Sequence, residues 1–203
     1  MDWKKNVDEM LADELEEQII DYVKAGFLSD EEILKCCEEY IEEEYPEESD
    51  SITEDELLEV VEMYRDKFQN KGGQENFRKL DTAFQRLDGQ GIICLHCAGY
   101  VQSDGFDDCN EIAAERHGNG QKVIGCCFYT MQDLEPILHE ESNLLYLSFG
   151  NYFEEPMAEE VGRIIVKELE AAGLAVQWPQ AADIKIAVKS MVWDKRYDGE
   201  AKG

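Results

Sequence analysis

The spacing of apolar residues changes once along this chain, near residue 90, and that change limits the folds open to it. Upstream, apolar side chains recur close to every 3.6 residues, the period of a helix with one buried face. Met10, Leu11, Leu15, Ile19, Ile20 and Val23 define a first helix over about residues 7–24, which Gly26 ends. Ser29-Asp30-Glu31-Glu32 is a capping box: the serine oxygen takes an orphan amide and Glu32 reaches back. The helix behind it carries Ile33, Leu34, Cys37, Tyr40 and Ile41 until Pro46 stops it. Thr53-Glu54-Asp55-Glu56 repeats the signal before Leu57, Leu58, Val61, Tyr64 and Phe68, and Gly72-Gly73 breaks that third helix. A fourth, over about residues 75–87, sets Phe77, Leu80, Phe84 and Leu87 on one face.

Downstream, short apolar runs alternate with helical stretches. Strands are expected over residues 92–96, 122–129, 144–149, 174–178 and 184–192, with helices over 107–116, 131–139 and 157–172. Such alternation argues for an α+β or α/β layer structure with a sheet of about five strands. The expected organisation is an acidic helical region over residues 1–90 and an α/β domain over residues 91–203. Trp178 and Trp193 fall at core or sheet-packing positions.

Charge narrows the partners. Residues 1–70 hold 25 Asp and Glu against 6 Lys and Arg, a net of −19 out of −28 for all 203 residues. Contact with DNA or RNA phosphates needs Lys and Arg to displace counterions, so direct nucleic-acid binding is disfavoured. Anionic membrane surfaces repel such a chain for the same reason, and no apolar run approaches the roughly 18 residues of a membrane span. The acidic start shows no apolar stretch ahead of a cleavage site, so no signal peptide is expected. Seven cysteines, with adjacent pairs at Cys36-Cys37 and Cys126-Cys127, read as small buried residues and not as a secreted disulfide framework. A reducing cytoplasm is the expected compartment.

Several strings occur together: Ala98-Gly99-Tyr100-Val101-Gln102-Ser103-Asp104-Gly105, Ile124-Gly125-Cys126-Cys127-Phe128-Tyr129, Gln132-Asp133-Leu134-Glu135, Leu144-Leu145-Tyr146-Leu147-Ser148-Phe149-Gly150 and Ala172-Gly173-Leu174-Ala175-Val176-Gln177-Trp178. With the terminal Trp193-Asp194-Lys195-Arg196-Tyr197, they resemble a bacterial family known as a domain of unknown function. The resemblance spans roughly residues 15–197 and is firmer after Gly91. It implies organisation and a bacterial origin, and it carries no activity.

Three groups of residues are candidates for chemistry. Cys94, His96, Cys97 and Cys109 are the best metal candidates, since zinc takes about four N or S ligands and C-x-x-C is the usual half-site. A second C-x-x-C is missing, and Cys94 and His96 share a strand face by period two, so buried cysteines with a hydrogen-bonded histidine are the expectation. A Cys–His nucleophile needs positive surroundings that this acidic chain does not offer. No catalytic residue and no cofactor is expected.

The second group is the loop Gln102, Ser103 and Asp104 after the first strand, with Gln132 and Asp133 after the second. In α/β sheets ligands bind at that carboxyl edge. The first loop has an equally physical plain reading: Ser103 or Asp104 is an N-cap, Gly105 satisfies a tight turn, and Asp107 and Asp108 complement the helix dipole.

The third group is the acidic run Glu38, Glu39, Glu42, Glu43, Glu44, Glu47 and Glu48, with Tyr40 and Tyr45 as anchors. Like charges at i, i+4 cost an isolated helix a few tenths of a kcal/mol per pair. The expectation is an intracellular binding protein, not an enzyme, that neutralises or regulates a basic protein partner: a toxin, as immunity proteins do, or a nucleic-acid-binding protein, as nucleic-acid mimics do. The alternative is a small ligand-binding or hydrolytic domain using Gln102, Asp104, Gln132 and Asp133.

Overall fold

A computed structural model of the chain describes residues 4, 7–68, 74–153, 156–197 and 199. It forms two compact units, Met1–Gln74 with Asp194–Gly203, and Glu75–Trp193.

The first unit holds α1 (Glu9–Ala25), α2 (Asp30–Glu44), a 3-10 turn (Pro46–Glu48) and α3 (Glu54–Phe68). The apolar stripes of the three helices meet in one core: Leu11, Leu15, Ile19 and Val23 from α1, Ile33, Cys37 and Ile41 from α2, and Leu57, Val61 and Tyr64 from α3. Local chemistry places the helix ends. Asp8 accepts the amides of Met10 and Leu11 ahead of α1, and Gly26 closes that helix at φ 74°, a left-handed conformation that favours glycine. Ser29 and Glu32 form the expected reciprocal capping box, at 3.1 and 2.7 Å. Thr53 and Glu56 repeat it before α3.

The second unit runs α4 (Glu75–Asp88), β1 (Ile92–Leu95), α5 (Gln102–Gly118), β2 (Gly125–Phe128), α6 (Met131–Leu138), β3 (Leu145–Asn151), α7 (Ala158–Ala171), β4 (Ala175–Gln177) and β5 (Ile186–Lys189). The sheet order is β1-β2-β3-β5-β4. Only β1 and β2 are parallel, and every other neighbour is antiparallel. This is the expected five-stranded α+β arrangement.

Alternation along β2 sets the two faces of the sheet. Gly125 lies under Val161 of α7, where any Cβ would sit 2.8 Å from a valine methyl. Phe128 points the other way, edge-on to Phe106 of α5 at 4.9 Å between ring centroids. Trp178 packs over Gly162 of α7 and edge-on to Phe149, and Trp193 lies edge-on to Phe77 and Tyr129.

Two differences from the sequence reading have clear causes. The structural division falls after Gln74 and not after residue 90, because α4 packs on β1 and α7. Periodicity shows that a helix has an apolar face, not what that face covers. Helix α5 begins at Gln102, five residues before the expected start, so Gly105 is helical and buried instead of forming a turn. The glycine there serves close packing: a Cβ would meet the Phe128 ring at 2.2 Å.

Candidate functional site

The acidic run lies on α2 and the turn that follows it. The helix buries Ile33, Leu34, Cys37 and Ile41, so the positions between them face solvent. Glu38, Glu39, Glu42, Glu43, Glu44 and Glu47 are exposed and Glu48 is half-buried. Lys35 is the one cation between Asp30 and Tyr64, against 16 carboxylates in that span, and it pairs with Glu39 at 3.5 Å. Tyr40 and Tyr45 are half-buried beside this face, their ring centroids 6.1 Å apart. Both hydroxyls donate to the same oxygen of Glu14 on α1, at 2.8 and 2.7 Å. Burial first, and then the bond to Glu14, raises the Tyr40 phenol above its usual range. For Tyr45 the Glu14 bond is the larger cause, pushing it up to about 12. Both rings are thus protonated and fixed at neutral pH. Glu14 sits 26 and 31 residues away in sequence, which is why no local pattern reveals the clamp.

The carboxyl edge of β1 and β2 brings its two loops together through backbone bonds. The Ala98 amide donates to Tyr129, Met131 to Gly99, and Gln132 to Tyr100, at 2.9, 3.1 and 3.2 Å. Each carboxylate is engaged at its own helix. Asp104 accepts the amides of Tyr100 and Val101 at 2.9 and 3.0 Å, and the Val101 and Tyr100 bonds hold its carboxyl below the usual range. Asp133 accepts the amide and hydroxyl of Thr130 and pairs with Lys185 at 2.7 Å. Ser103 is exposed and touches only the Asp104 carboxylate at 3.4 Å among its described bonds. Gln102 and Gln132 are exposed. The five residues therefore share one edge, with both carboxylates spent on caps.

The Cys and His candidates separate. Cys94 lies opposite Cys127 in the parallel β1–β2 register. Burial, then the Cys127 thiol, pushes its pKa well up. Cys97 sits at φ 50° and 3.8 Å from the Met131 sulfur. Cys109, on α5, is fully buried in the apolar cluster that also holds Cys126. Among the described residues no group of three or more His, Cys, Asp and Glu is arranged to hold a metal.

His96 joins a different constellation. Its Nδ1 is 3.0 Å from the Tyr129 hydroxyl and its Nε2 is 3.3 Å from Asp81 of α4. An ionised carboxylate only accepts, so in the neutral imidazole Nε2 carries the proton and Nδ1 accepts from the phenol. Phe84 stacks on the imidazole at 4.6 Å and Phe77 tilts against it at 5.0 Å. Tyr129 is fully buried, so this chain ties α4 to the ends of β1 and β2 and offers no open reactive atom at the tyrosine. Period two along β1 places His96 on the Cys94 face. Its partners, 15 and 33 residues away, are not legible from that.

The family comparison covers nearly the whole chain: residues 8–197 match the model described as Domain of unknown function (DUF6891). The chain belongs to that family. No curated protein and no solved structure matches it. No helix of the described residues is long and apolar enough to cross a membrane.

Proposed function

We propose that this is a non-enzymatic binding protein whose acidic α2 face neutralises or regulates a basic protein partner. In its sharpest form it is a bacterial, cytoplasmic protein of the immunity or nucleic-acid-mimic type. The observation that carries the reading is the exposed row Glu38, Glu39, Glu42, Glu43, Glu44 and Glu47, with Lys35 as its single neighbouring cation on α2. Solubility alone asks far less than a net of −19 in residues 1–70. A field of one sign steers a complementary surface into contact and repels wrong partners. The Tyr40 and Tyr45 rings, held by Glu14, supply a preorganised apolar patch beside the charges; aromatic anchors of this kind carry a large part of interface energies.

The test is kinetic. A basic protein captured on the folded chain should associate fast at low salt and slow steeply as the Debye length shrinks from about 30 Å at 0.01 M to about 8 Å at 0.15 M. Reversing Glu42, Glu43 and Glu44 to Lys should slow association while leaving the circular dichroism spectrum unchanged, because all three side chains are exposed. A partner whose binding ignores both salt and the reversal would leave the acidic face as a solubilising surface.

A further inference from the structure

Two carboxylates on α1 hold phenols, and only one of them has a cation. Glu16 accepts the Tyr64 hydroxyl and pairs with Lys4 at 2.7 Å, and Lys67 Nζ lies 5.1 Å over the Tyr64 ring. Glu14 accepts both Tyr40 and Tyr45 on one oxygen, at 2.8 and 2.7 Å. Among the described residues no cation pairs with it; Lys4 goes to Asp13 and Glu16 instead.

The helix ends repeat the contrast. Lys24 closes α1, and Arg65 and Lys67 close α3, cations that complement the negative end of a helix dipole. The last turn of α2 has no basic residue and carries Glu42, Glu43 and Glu44. Its capping residue is Tyr45, so the Tyr45 hydroxyl bond brings this uncompensated end to Glu14, which is itself half-buried.

The oxygens left over are all acceptors. Both hydroxyl protons go to Glu14 Oε2, so each phenol oxygen keeps its lone pairs, and Glu14 Oε1 has no bond among the described residues. One full negative charge thus sits beside two rings tilted by 52°. A guanidinium suits that setting better than an ammonium: it is less strongly hydrated, carries five N–H donors in one plane, and stacks on aromatic faces. A divalent ion suits it less, since calcium and magnesium take six or more oxygens, and no group of three or more metal-ligating side chains forms among the described residues.

We infer that Glu14, Tyr40 and Tyr45 form the anchor pocket of the acidic face and take an arginine side chain of the basic partner. This rests on the binding function proposed above and adds the residue type that the partner presents. The guanidinium donates to Glu14 Oε1 and to the phenol oxygens, and gives Glu14 the countercharge that Lys4 gives Glu16. The exposed glutamates of α2 and the pocket then divide the work: rim charges set the association rate, and a half-buried pair sets how long the complex lasts.

The experiment titrates the full chain at low salt with short lysine-flanked peptides that differ only in a central arginine, lysine or citrulline, followed by NMR. Citrulline keeps the shape of arginine and loses the charge. The arginine peptide should bind about tenfold tighter than the citrulline peptide, the worth of a charge-assisted hydrogen bond, and about threefold tighter than the lysine peptide. It should also shift the ring signals of Tyr40 and Tyr45. Glu14→Gln keeps an oxygen acceptor for both phenols, and should weaken the arginine peptide about tenfold. Glu43→Gln removes an equal charge from the exposed row and should weaken it only about twofold. The ranking of peptides on the wild-type chain stands even where Glu14→Gln fails to fold. The anchor is overturned if the arginine and lysine peptides bind equally and leave both tyrosine rings unshifted, or if the two Gln variants cost the same; salt-sensitive binding would then leave the acidic face as a steering surface alone. Binding of no peptide at all would overturn the anchor and the acidic-face reading together.

Discussion

Gly105 lies near the start of α5 with its Cα against Phe128, and Gly118 ends the same helix with nothing within 4 Å of where a Cβ would go. The pair separates two effects that a glycine combines. Alanine gains about 1 kcal/mol over glycine inside a helix. At position 105 the new methyl would overlap a ring that is 0 % exposed and held edge-on by Phe106, and overpacking of that kind costs about 1–3 kcal/mol. Gly118→Ala is therefore expected to raise the urea midpoint slightly, while Gly105→Ala lowers it by an amount equivalent to about 1 kcal/mol net. Equal midpoints for the two variants would show that Phe128 yields freely, against the close packing that places α5 on the sheet.

The capping boxes of α2 and α3 are where sequence and structure agree most closely, because a cap is a contract among four consecutive residues. Its acid sensitivity follows from one of them. The backbone amide of Thr53, then its hydroxyl, hold the Glu56 carboxyl below its usual value of 4.5. A folded-state pKa lower than the unfolded one gives stability that is fully present above the unfolded value and is lost as pH falls through the folded one. The α3 cap should therefore hold at neutral pH and weaken in acid, below about pH 4.5. Glu56→Gln should flatten part of the loss of first-unit stability on acidification, followed by denaturant titration at stepped pH, and a slope unchanged by the substitution would remove Glu56 as its source.

Elements set by long-range partners were less legible. The seven helices and five strands of the described residues follow from period and breakers. That α4 covers the sheet, that α5 starts at Gln102, and that β4 pairs with β5 at the far edge follow from packing between segments distant in sequence. The candidate residues divide the same way. The exposure of Glu38, Glu39, Glu42, Glu43 and Glu44 was readable from the helical period, because the buried Cys37 and Ile41 lie on the other face of α2. The commitment of Asp104 to a cap was one of two local readings, whereas that of Asp133, which closes a capping box with Thr130, was missed although the four residues are consecutive. The Glu14 clamp and the Asp81–His96–Tyr129 chain each join elements that no local spacing connects.

At the scale of the molecule, the chain returns its last described residues to the unit from which it began. After Trp193 it enters the acidic unit, where Lys195 Nζ lies 5.0 Å over the Phe27 ring. Arg65 stacks on Tyr197 at 4.7 Å while its Nε holds Asp30 at 2.6 Å. Gly26 has no side chain because the Lys195 carbonyl would stand 2.9 Å from a Cβ there. These contacts make the segment a cover for Phe27 and a partner for Arg65. Ending the chain after Trp193 removes that cover and both cation–ring contacts. Exposing most of a phenylalanine and losing two cation–ring contacts is worth about 2–3 kcal/mol. The loss should fall on the first unit: amide protection in α1, α2 and α3 drops, while that of β2 and β3 keeps its native value by hydrogen exchange. A truncated chain whose two units lose protection equally, or not at all, would show that residues 194–197 are not part of the acidic unit's fold.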